Sequence, residues 1–89
     1  MPRLHVTPHL LRHVAAPPRD VPGDTVRAVL TAAFAAVPQA RGYVLDDAGA
    51  VRHHVVIFVD GRQITDRAAQ SDPVGPDAEV YVMQALSGG

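Results

Sequence analysis

Residues 53–64 read HHVVIFVDGRQI. From Val55 to Val59 every side chain is β-branched or aromatic, and Asp60-Gly61 follows at once. That pair is the strongest short hairpin signal. The stretch therefore predicts a strand, a tight turn and a short return strand through Ile64. Side chains alternate along a strand, so placing Val55, Ile57 and Val59 inward sends Val56 and Phe58 outward. Both faces of this strand then carry apolar groups.

Upstream, GDTVRAVLTAAFAAVP (residues 23–38) repeats apolar residues at Val26, Val29, Leu30, Ala33, Phe34 and Val37. That is the stripe of one amphipathic helix, with Asp24 placed to cap its start and Pro38 to end it. Downstream, AEVYVMQAL (residues 78–86) is entered through the turn-rich SDPVGPD. It alternates Val80 and Val82 against Tyr81 and Met83, the pattern of a strand with one face buried. Near the N-terminus, Leu4 and Val6 begin a strand that Pro8 interrupts. HLLRHV (residues 9–14) is expected to make a helical turn before a short second strand near Val21. Between Ala40 and Arg52 no periodicity emerges, and the segment reads as a loop with a turn at Asp47 to Gly49. Strands, one helix, then strands give an α+β domain with the helix laid across one face of a sheet. One helix cannot cover both faces. Phe58, Tyr81 and Met83 then form an apolar outer surface, a docking site unless the N-terminal segment or the Ala40 to Arg52 loop folds over it.

The chain has 89 residues, 47% of them hydrophobic and 19% charged, which suits a single small core. There is no cysteine, which excludes a disulfide framework, a thiolate metal site and a cysteine nucleophile. The formal charge of −1 provides no basic field for nucleic acid and no polybasic membrane patch. MPRLHVTPHLLRHV at the start has charges and prolines where a signal peptide needs an unbroken apolar run, so a soluble cytoplasmic protein is expected. Serine occurs only at Ser71 and Ser87, neither in the setting of a catalytic elbow, and no glycine-rich phosphate loop is present. His5, His9 and His13 are spaced by four, but Pro8 breaks a helix through all three. His53 and His54, read as strand residues, would point to opposite faces. Surface or edge positions are expected for the histidines and no metal site. Asp46, Asp47 and Asp66 read as loop and cap positions.

The sequence given ends YVMQALSGG. Gly88 and Gly89 lack a Cβ, so such an end can thread a narrow slot and bring an α-carboxylate close to a reactive centre. A free carboxylate is a poor electrophile, and it becomes useful once another enzyme has made it an acyl-adenylate. With no lysine in the chain, only the N-terminal amine could trap that activated end internally.

The order of elements, VDG after a buried strand, a turn ending GPDAEV and the final ALSGG together resemble the ubiquitin-like β-grasp sulfur carriers. That group contains the small subunit of molybdopterin synthase and the thiamine-pathway sulfur carrier. The resemblance covers nearly the whole chain and is most specific from His54 to Gly89. It implies a mixed sheet of four to five strands with one main helix, a domain over residues 1–85 and a flexible Gly-Gly tail over 86–89. It also implies a carrier rather than an enzyme. Gly89 would be adenylated by an E1-like adenylyltransferase/sulfurtransferase and converted to a thiocarboxylate, then supply sulfur to a downstream synthase. The chain would bind no cofactor, ATP and magnesium being used by the activating partner. Gly88, Ser87, Leu86, Met83, Tyr81 and Phe58 would meet the partners, with no role for nucleic acid or membrane. RHHVVIFV and the long Ala40 to Arg52 stretch are closer to the longer carriers, including the actinobacterial one serving cysteine synthesis. Molybdopterin, thiamine and cysteine pathways all stay open. So do two other readings of the same tail: a protein modifier joined through Gly89, and a binding module whose glycines are incidental.

Overall fold

The structure, a computed structural model, describes residues 1–6 and 18–84. Five strands, β1 (Arg3–Val6), β2 (Arg19–Asp20), β3 (Val55–Val59), β4 (Arg62–Gln63) and β5 (Glu79–Gln84), form one mixed sheet in the order β2-β1-β5-β3-β4. β1 and β5 run parallel at its centre, and the remaining pairs are antiparallel. Helix α1 (Val26–Ala36) supplies Val26, Val29, Leu30 and Ala33 to the core, where they join Val55, Ile57, Val59, Val80 and Val82 from the sheet. The hairpin is present as expected, and its turn has positive φ at both central residues, 51° at Asp60 and 83° at Gly61, as a type I′ turn requires. Asp60 Oδ1 then accepts from Glu79 N (2.9 Å), tying the turn to the start of β5.

Three local expectations are corrected. The cap of α1 is Thr25, not Asp24. Thr25 is extended (φ −134°, ψ 161°) and its hydroxyl accepts from Ala28 N (3.1 Å), while Asp24 is exposed and gives only its carbonyl, to Val74 N. The shift follows from Gly23, whose φ of 149° turns the chain so closely beneath the helix that a Cβ there would sit 2.7 Å from Val29 N. Second, His53 and His54 precede the strand, in a turn closed by Val55 N donating to Arg52 O (2.9 Å). Their rings meet edge to face instead of pointing apart across a sheet.

Third, the Ala40 to Arg52 stretch is structured. A single 3-10 turn (Pro38–Ala40) leads into a short helix α2 (Arg41–Val44), and Leu45 bridges Val51. Val44, Leu45 and Val51 are buried in the same core as α1, so this segment closes the inner layer and does not fold over the outer face. Four helical residues are too few to show a periodicity. The expected helical turn at residues 9–14 lies outside the described residues.

The connection into β5 is held by two aspartates. Asp72 accepts from Thr65 N, Thr65 Oγ1 and Asp66 N, and Asp66 accepts from Ala69 N, Ser71 N and the Ser71 hydroxyl. These bonds favour the ionised carboxylates and hold both below the usual aspartate range. The Ser71 hydroxyl is the main cause for Asp66 and the Thr65 amide for Asp72.

Candidate functional site

The sheet has α1 on one side only, and the parity of β5 decides what the other side presents. Val80 and Val82 are fully buried, whereas Tyr81 is 38% exposed and Met83 half-buried. Their cross-strand neighbours extend this surface sideways: Tyr81 lies between His5 of β1 and Phe58 of β3, and Met83 lies opposite Val56. Phe58, Tyr81 and Met83, the described residues among those expected to meet partners, therefore share one outer face. Leu86, Ser87, Gly88 and Gly89 lie outside the described residues.

His5 belongs to this surface and was not anticipated there. Its ring stacks on Tyr81 with centroids 4.3 Å apart and planes 8° from parallel, and its Nε2 donates to Glu79 Oε1 (2.7 Å). That contact is the one ion pair among the described residues when His5 is protonated. The alternation of Leu4, His5 and Val6 already put His5 on the face opposite the core. The sequence did not reveal that β1 pairs with β5, which brings His5 to Tyr81. The result is a row of three rings, His5, Tyr81 and Phe58, bordered by Arg3 and Glu79 and continued by Val56 and Met83 toward the end of β5. Such a surface suits apolar and aromatic contact with another protein. No group of three or more metal-ligating side chains occurs among the described residues.

No family model and no curated protein matches the sequence. Solved structures do match in three dimensions. Mycobacterium tuberculosis CysO superposes with a TM-score of 0.80 at 18% identity, over 97% of this chain and 100% of that one. The small archaeal modifier protein 1 of Methanosarcina acetivorans also gives 0.80, at 15% identity over 99% and 95%. A chain of the Amycolatopsis orientalis BexX/CysO complex gives 0.77 at 15% identity, over the whole of both chains.

The fold is the ubiquitin-like β-grasp. In this β-grasp the ring row occupies the sheet face away from the helix, and the strand that carries Tyr81 and Met83 is also the one that precedes Gly88 and Gly89 in the sequence.

Proposed function

We propose that the chain is a sulfur-carrier protein whose Gly89 carboxylate is adenylated by an E1-like partner and then converted to a thiocarboxylate. The carboxylate attacks the α-phosphate of ATP, pyrophosphate leaves, and a sulfur nucleophile displaces AMP from the acyl carbon. ATP and magnesium are bound by the partner, and the carrier binds neither. A downstream synthase consumes the sulfur, for molybdopterin, thiamine or cysteine synthesis. The observation that carries the reading is the coincidence, on one strand, of an exposed Tyr81–Met83 surface and a lead into two bare glycines. The absence of cysteine agrees with it, since sulfur held on this chain must be held on a carboxylate.

Likeness to a protein described as a small archaeal modifier favours a second reading, in which activated Gly89 is joined to amines of other proteins. Intact mass of the protein isolated from its own cells under non-reducing conditions separates the two. A species heavier by the difference between one sulfur and one oxygen, and lost on deletion of Gly89, supports the carrier. Larger conjugates lost with the same deletion, without that species, support the modifier.

A further inference from the structure

On the helix side, across the sheet from the ring row, α1 and α2 leave a cleft of about 150 Å³ lined by Arg27, Leu30, Phe34, Arg41, Leu45 and Gln70. Its floor is apolar, built from buried Leu30 and Leu45 and half-buried Phe34. Arg27 and Arg41 are exposed, and neither guanidinium has a hydrogen-bond or carboxylate partner among the described residues. Arg19, Arg52 and Arg67 each donate to a backbone carbonyl, and Arg3 and Arg62, which also have no side-chain partner among the described residues, do not line the cleft. The cleft thus places two free positive charges beside an apolar floor.

Gln70 gives a second, independent indication. It is 1% exposed, and its Nε2 donates to Gly49 O (3.1 Å) and Arg67 O (2.7 Å), which fixes the orientation of the amide. Its Oε1 accepts no hydrogen bond among the described residues, and Gln70 lines the cleft. Buried acceptors are as a rule paired, so an unpaired one on a residue that lines the cleft points to a donor supplied there. In the adjoining turn Asp46 is engaged, its Oδ1 accepting from Ala48 N and Ala50 N.

We infer that this cleft is a second docking site, separate from the ring row, for an acidic peptide segment of a partner protein. Such a segment meets all three demands. A carboxylate side chain answers Arg27 and Arg41, an adjacent apolar side chain covers Leu30, Phe34 and Leu45, and a backbone N–H donates to Gln70 Oε1. The proposal stands whether the chain carries sulfur or modifies proteins.

The test is an amide chemical-shift titration of the full ¹⁵N-labelled chain with an end-capped peptide alternating glutamate and leucine, alongside its glutamine counterpart. Saturable shifts are expected at Arg27, Leu30, Phe34, Arg41 and Gln70. The dissociation constant should rise at least about tenfold for R27E/R41E and for the glutamine peptide, equivalent to about 1.4 kcal/mol. Both arginines are exposed, so the variant should melt like the parent; should it not, R27Q/R41Q takes its place. Any of four results overturns the proposal: no saturation at millimolar peptide, shifts confined to the Tyr81 and Phe58 face, unchanged affinity in the variant, or inorganic phosphate reproducing shifts that the peptide does not cause.

Discussion

Tyr81 and Val82 are chain neighbours whose truncation to alanine should have opposite consequences. Val82 is fully buried, paired with Val6 on one side and Ile57 on the other. Val82→Ala removes the equivalent of two methylenes, about 1.6 kcal/mol in transfer free energy, and the cavity left behind raises this to about 2–3 kcal/mol. For a domain of this size that lowers the melting temperature by about 10–20 °C. Tyr81 is 38% exposed and stacks on His5, so Tyr81→Ala should cost about 0.5–1.5 kcal/mol for the lost stack and leave no buried cavity. If Tyr81 anchors the activating enzyme, losing it removes about 2 kcal/mol of binding, roughly thirtyfold in affinity. On the carrier reading, the paired assays are thermal unfolding by circular dichroism and pyrophosphate release by the activating enzyme as the concentration of this chain is varied. Tyr81→Ala should raise KM with a small loss of stability. Val82→Ala, assayed well below its melting point, should leave KM unchanged. Equal destabilisation by the two would mean that Tyr81 is core, and an unchanged KM for Tyr81→Ala would remove the ring row from activation.

Gly23→Ala should destabilise by about 2–4 kcal/mol, because it combines a positive-φ penalty with a Cβ pressed into the Val29 backbone; denaturant unfolding measures it, and a change near zero would show that the turn relaxes freely. Asp66 and Asp72 are held below their ordinary values, so their contribution is fully present above the unfolded value of about 3.9 and is lost as pH falls through the folded values. Asp72→Asn should therefore lower stability at neutral pH and flatten its decline below about pH 4, which melts recorded across that range would show. On the carrier reading, deleting Gly88 and Gly89 should abolish thiocarboxylate formation, read by intact mass after incubation with an E1-like activating enzyme, ATP and a sulfur source.

How much of this was legible in the sequence depended on how local each signal was. The hairpin at Asp60-Gly61 and the inward and outward sides of β3 and β5 follow from adjacent residues, and the structure has them as expected. The α1 stripe was also legible, but its cap was not, because Thr25 wins through a Gly23 turn set by contact with Val29. Residues 41–44 could not be recognised as helical, since what holds them is burial of Val44 and Leu45 against α1 rather than any pattern of their own. The outer face was readable strand by strand. Its assembly was not, because β1 and β5 are nearly the whole chain apart in sequence, and only their parallel pairing brings His5 to Tyr81.

That pairing also bears on how a partner could work on the chain end. β5 is bonded on both sides, to β1 and to β3, and its inward residues Val80 and Val82 are fully buried. A partner gripping Tyr81 and Met83 therefore holds a strand that cannot shift without breaking ladders on both flanks. Five residues follow Gln84 in the sequence given, and at full extension they reach at most about 18 Å. On the carrier reading, the partner's adenylation centre must lie within that distance of Gln84, next to Met83 on the same strand. Removing Ser87 shortens the reach by about 3.5 Å while leaving Tyr81, Met83 and both glycines in place. Since a misplacement of about 1 Å can reduce catalysis about a hundredfold, the Ser87 deletion should lower kcat for adenylation severely with KM little changed, whereas Ser87→Ala should preserve both. A deletion that raises KM and spares kcat would mean that Ser87 is a docking contact and that the distance from sheet to carboxylate is not what the partner measures.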